Sequence, residues 1–364
     1  MDQITRRKLL RATIVAALIS SGGFGCGGGG GGDDVPPPGR VEYDVVQLAP
    51  LTGDFDSGPT DMNEAGDVVG SSTGSEGPRA TLWKAGEPSR PVFLGTLGTG
   101  DHSIATGING AGRVTGHSAT NGPVVSLGFR WADNAITALP VTSETAQALP
   151  QAIGADGRIA GTLLTRGASA PRGVVWEPGG AMGEIPALPG SAFALPQAID
   201  AAGRIVGQTQ TAAGVNAVHR AFVFENGQIR ALPPLAGGGI SSARSIGENG
   251  WVVGWSRLPN ASRIRATVWR NDVPTDLGTL PGHDESAAYD VNARGEIVGF
   301  SGSDATSRRA FLWKNGTMRD LNGLIAPGTG WTLTTATATN DGGKIVGYGL
   351  IGGQSRAFLL IPRS

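Results

Sequence analysis

Cysteine is nearly absent: Cys26 is the single one in 364 residues. A disulfide within the chain and a cysteine-based zinc set are therefore both excluded. Histidine is scarce too, with four residues, His102, His117, His219 and His283. Aromatic residues make up 6% and charged residues 16%, and the formal net charge is −1. That balance gives no electrostatic reason to expect a nucleic-acid partner. Stretches of roughly 15 residues free of Gly and Pro are rare, which argues against long helices. The apolar run Ala12–Ile19 falls well short of the about 20 residues that span a bilayer. What is plentiful is glycine, with 60 residues. Ile, Val, Leu, Phe and Trp nonetheless return in short runs, as in a folded chain built mostly of turns.

The N-terminus carries an address. Thr5-Arg6-Arg7-Lys8-Leu9-Leu10-Arg11 precedes the apolar run, which is the charged-then-apolar layout of a secretory signal. The segment resembles a twin-arginine export signal. Cys26 follows directly, behind the small residue Gly25 and ahead of Gly27–Gly32, and this placement resembles a bacterial lipoprotein signal. The resemblance implies an export signal over residues 1–26, lipidation of Cys26 and a Gly/Pro-rich tether over 27–42. It also implies an exported chain at the bacterial envelope, periplasmic or on the outer surface, that touches membrane only through its lipid.

Residues 43–364 repeat. A segment Gly-x-Ile/Val-x-Gly ends at Gly70, Gly116, Gly161, Gly207, Gly254, Gly299 and Gly347, in steps of 46, 45, 46, 47, 45 and 48 residues. We number these repeats one to seven. Each is entered through a further glycine (Gly66, Gly112, Gly157, Gly203, Gly250, Gly295, Gly343), usually three residues after Asn or Asp, which is hairpin-turn chemistry. A run such as Arg309-Ala-Phe-Leu-Trp313 follows, closing at Trp83, Trp131, Trp176, Phe224, Trp269, Trp313 and Leu360. A fourth segment such as Leu94-Gly-Thr-Leu97 and an Ala/Ser/Thr-rich segment before the first glycine complete the unit. Four short β segments per unit predict an all-β fold, a seven-bladed β-propeller of four-stranded blades. The seventh repeat stops at Ile361 without its fourth segment, and Tyr43–Leu51 reads like the missing piece, so the ring is expected to close with the N-terminal strand. The repeat, with its Ala-Phe-Leu-Trp and Leu-Gly-Thr-Leu runs, resembles the HAF-type extracellular repeat. That resemblance implies an exported repeat protein and brings no catalytic residues with it.

Chemistry is harder to find. Gly70-Ser-Ser-Thr-Gly74 matches the pattern around a hydrolase nucleophile, but Gly-x-Ser recurs in other repeats and belongs to the scaffold. Six arginines (Arg79, Arg172, Arg220, Arg265, Arg309, Arg356) recur at one position and read as structural braces. No metal site, cofactor or catalytic set is expected. The connections that vary in length all emerge on one face, where recognition is usually carried. Binding candidates there are Asp101, His102, Trp255, Arg257, His283, Asp284, Glu285 and Trp331. The expected function is a noncatalytic binding or scaffold module whose partner is a glycan, a small molecule or an envelope protein. The alternative is a propeller hydrolase or lyase acting on sugars or lactones at the channel mouth, with Asp101, His102, Asp284 and Glu285 as its first candidates.

Overall fold

A computed structural model describes residues 41–363 apart from 120–125, 169, 212–217, 237 and 259–262. The export segment with Arg6 and Arg7, the lipidation candidate Cys26 and the tether up to residue 40 lie outside the described residues.

The first repeat shows how the local sequence makes its strands. Asp56–Met62, Val68–Gly74, Gly77–Trp83 and Val92–Phe93 pair antiparallel in that order. Asn63 ends the first strand because its Oδ1 accepts the Asp67 N–H at 2.9 Å while its carbonyl accepts the Gly66 N–H. The chain reverses at Gly66 with φ +89°, a conformation that costs a glycine little. Between the third and fourth strands of repeat six, Asn315 and Gly316 both have positive φ, 52° and 82°, as a two-residue hairpin turn requires.

The strands form five four-stranded sheets and one eight-stranded sheet, an all-β propeller. The expectation of seven separate four-stranded blades needs correction here. Repeats two and three form one sheet, because the nine-residue strand Thr145–Ile153 starts early enough for Gln147 to pair in parallel with Ser126.

The chain ends are joined. Tyr43–Gln47 lies antiparallel on Gln354–Pro362 and supplies the outer strand of the last sheet. This strand is shorter than the expected Tyr43–Leu51, although the Leu48 N–H still donates to the Ala357 carbonyl at 3.1 Å. Neighbouring first strands are tied through the same turn asparagines. Asn63 Nδ2 donates to the Asn109 carbonyl at 3.3 Å, Asn109 to Gly154 at 3.0 Å and Asn292 to Asn340 at 3.0 Å. Asn340 then donates back to the carbonyl of Asn63, 277 residues away, at 3.2 Å.

The core lies between the sheets. Trp83, Trp176 and Trp269 are fully buried, and a residue of this size removes about 150–250 Å² from water. Trp83 packs with Leu48, Met62, Val346 and Leu359, so the first and last repeats share one cluster. Each indole N–H reaches a carbonyl of the preceding connection: Ala49 at 2.7 Å, Pro140 at 2.9 Å and Pro233 at 2.6 Å. Phe224, at the same position in repeat four, is only half-buried. Among the described residues no helix is long and apolar enough to cross a membrane.

Candidate ligand-binding site

The repeat glycines shape a site on the axis. Each innermost strand carries a β-bulge ten residues before its repeat glycine, at Thr60, Thr106, Gln151, Gln197, Arg244, Tyr289 and Thr337. The bulge pushes a carbonyl against the neighbouring strand. A Cβ at Gly70, Gly116, Gly161, Gly207, Gly254, Gly299 or Gly347 would collide with a carbonyl oxygen of the first strand (that of Gly58 in the first repeat, of Ala287 in the sixth). Glycine is therefore fixed there by close approach, and the extra residue of the bulge is turned inward. All seven bulge residues line one axial cavity of about 290 Å³.

The bulge residues divide into two arcs. On repeats seven, one and two the residue is threonine, and its hydroxyl is already spent on the next repeat. Thr337 Oγ1 donates to the Pro59 carbonyl at 3.5 Å, Thr60 to Ala105 at 2.9 Å and Thr106 to Pro150 at 3.0 Å. On repeats three to six the residue is long and polar: Gln151, Gln197, Arg244, Tyr289. Arg244 Nη1 donates to Gln197 Oε1 at 3.3 Å, while its buried Nε has no hydrogen-bond partner among the described residues. Burial lowers the pKa of Arg244 and raises that of Tyr289.

Two carboxylates stand one residue further along. Asp61 accepts the Ile108 N–H of the next repeat at 2.9 Å and its own neighbour's N–H, from Met62, at 2.8 Å. Asp290 accepts Ser245 Oγ–H at 2.6 Å and the Thr339 N–H at 2.8 Å, so it clamps the repeats on both sides. Burial pushes the carboxyl of Asp61 up to about 7, helped by the charge of Asp290, and that of Asp290 up to about 6. The cavity reaches the short-turn face at Glu64 and Glu248. Burial, Asp341 and Glu248 together raise the pKa of Glu64.

The residues singled out from sequence stay on the variable face and do not converge with one another as a single set. His102 Nδ1 is hydrogen-bonded to the Asp101 carboxylate, and the His102 ring lies over Gly77 of the preceding repeat. Asp284 and Glu285 meet Arg263 at 3.0 and 3.7 Å, a partner the sequence did not suggest. His283 Nδ1 sits 3.1 Å from Ser301 Oγ. Trp255 is half-buried against Phe300 and Ala287, 6.5 Å from His219, whose pKa is lowered by burial and by the charges of Arg257 and Arg244. Arg257 is exposed at the end of its strand. Trp331 packs edge-on against Phe358 at 6.3 Å and helps cover the core of repeat seven. Among the described residues no group of three or more His, Cys, Asp or Glu could hold a metal ion. Ser72, in the apparent nucleophile pattern, accepts the Leu51 N–H at 2.8 Å and donates to Asp54 at 2.6 Å, a scaffold role.

No protein-family model matches the chain, and no curated protein matches it. Solved propellers do. The β-propeller domain of the Trilobed protease from Pyrococcus furiosus is 10% identical over 85% of this chain and 93% of its own, with a TM-score of 0.57. An oligogalacturonate lyase in complex with manganese is 13% identical over 89% and 97%, also at 0.57. Virginiamycin B lyase from Staphylococcus aureus is 14% identical over 88% and 99%, at 0.53. The fold is that of a β-propeller. At such identities the likeness extends to the fold alone.

Proposed function

We propose that this chain is an exported, envelope-anchored seven-bladed propeller that acts as a noncatalytic binding module. In this reading the eight-stranded sheet counts as two blades, since each half is a complete antiparallel run of four strands and only the Gln147–Ser126 bridge joins them. The repeat is a HAF-type repeat, the signal directs export, and Cys26 carries the lipid. One observation supports a binding role above the others. Of seven equivalent bulges three carry a threonine that bonds the next repeat, yet four consecutive repeats carry Gln151, Gln197, Arg244 and Tyr289 there, around an axial cavity. Arg130, Arg265 and Arg270 also hold an unpaired buried Nε, but of the four only Arg244 lines the axial cavity, where a ligand can reach its guanidinium.

A metabolite and glycan array probed with the full-length chain tests this. A small-molecule ligand whose binding is lost in Arg244→Gln is the expected result. Turnover of a bound compound, or a ligand set indifferent to Arg244, would contradict it. Two further variants test the address. Cys26→Ser is expected to leave the protein soluble and without incorporated palmitate, and lysine at both Arg6 and Arg7 to block translocation.

A further inference from the structure

The charges of the axial cavity are sorted by depth. Arg244 is the one cation among its described lining residues, and it stands in the bulge layer. The opposite end, at the short-turn face, is acidic. Glu64 Oε2 accepts the Asp341 N–H at 2.9 Å and Glu248 Oε1 accepts the Ala201 N–H at 3.1 Å, and among the described residues the second oxygen of each has no such donor. Asp61 and Asp290, in the walls between, already have hydrogen-bond donors at both oxygens and serve as clamps between repeats. Two cations stand beside this rim outside the cavity lining: Arg294, paired with Glu296 at 2.7 Å, and Lys344, whose Nζ lies against Gly66.

A simple anion would meet Arg244 but pass an acidic rim, and a simple cation would leave the guanidinium buried and unpaired, which is costly. A molecule with its positive and negative ends apart satisfies both. Arg244 and Glu248 are four residues apart in the chain, a span of at most about 14 Å. Three extended residues cover about 10 Å. Gln151 and Gln197 add amide groups that can both donate to and accept from a peptide unit.

We propose that the axial cavity takes a short peptide as a zwitterion, with its carboxylate against Arg244 and its ammonium against Glu64 and Glu248. This rests on the binding-module reading above and names the ligand class for that same site.

Calorimetric titration of the purified full-length chain with triglycine, triglycine amide and N-acetyltriglycine tests it. Triglycine is expected to bind, and each blocked form to bind at least tenfold more weakly. Arg244→Gln should abolish the difference between triglycine and its amide. Replacing both Glu64 and Glu248 with glutamine should abolish the difference between triglycine and its acetyl form. Melting curves of both variants confirm folding, and the ligand series on the unchanged protein needs no variant. Equal binding of the three compounds, or no heat from any of them, overturns the inference. If an array compound binds through Arg244 while all three peptides fail, the binding module stands and the peptide assignment falls. If nothing binds through Arg244, both fall.

Discussion

At the residue scale, the repeat glycines and the buried carboxylates make opposite demands. Gly299 faces the Ala287 carbonyl with no room for a methyl group, so Gly299→Ala must move one strand off the other. Overpacking of this kind costs about 1–3 kcal/mol, and a urea melt should show it. Gly183 has nothing within 4 Å of its missing Cβ, and Gly183→Ala should leave the melt nearly unchanged. Asp61 presents the other case. Its folded pKa, about 7, lies above the ordinary carboxyl value, so the folded chain holds this proton more tightly than the unfolded chain. The contribution of Asp61 to stability is full below about pH 4 and is lost as pH rises through about 7. His117 works the other way: burial lowers it to about 4, and its contribution is lost as pH falls from about 6.5. The two slopes partly cancel in the native protein, so a difference measurement is needed. Asp61→Asn keeps an oxygen for the Ile108 N–H and has no charge to bury. We expect its melting temperature, relative to the native chain, to become steadily more favourable between pH 4 and pH 7. A difference that stays flat would show that Asp61 ionises as freely folded as unfolded.

At the element scale, closure depends on Tyr43–Gln47 and the residues just after it. Tyr43 is buried in the cluster of Leu321, Leu324 and Leu360, with Val45 packed beside it, and Leu48 is fully buried against Trp83. Burying a side chain of this kind contributes about 1.5–3 kcal/mol. A chain beginning at Thr52 also loses the Ala49 carbonyl that accepts from Trp83 and exposes the edge of Gln354–Pro362. It should melt lower and self-associate, and residues 43–51 fused after Ser364 through a short linker should restore it. Unchanged melting in the shortened chain would contradict closure. This strand was legible in the sequence because the seventh repeat lacked a fourth segment. Its length was not: Leu48 and Leu51 are buried apolar residues that read like strand, but after the Leu48 N–H bond to Ala357 the chain leaves the sheet and Ala49 N–H donates to Pro88. Along the strand Tyr43 and Val45 face the cluster of repeat seven, while Val46 is half-buried on the other side. The merger of repeats two and three could not be read either, because a single bridge between Gln147 and Ser126 leaves no mark on the repeat step.

At the scale of the whole molecule, periodicity revealed the scaffold and concealed the site. The repeat glycines were visible as spacing, but their reason, a bulged carbonyl on the neighbouring strand, needs two strands in register. The residue that each bulge turns inward stands ten places before its glycine, among small residues that read as filler near an axis. Arg244 and Tyr289 interrupt that filler, and this was the available signal. The variable loops carry the more conspicuous polar residues, but these pair locally, Asp101 with His102 and Asp284 with Arg263. The central claim is that recognition lies in the axial cavity. The most direct test compares the affinity of one bound compound for the native chain, Arg244→Gln, and a double variant with Asp284→Asn and Glu285→Gln. We expect a loss of at least tenfold in Arg244→Gln and native affinity in the double variant; the reverse pattern would place recognition on the variable face and contradict the claim.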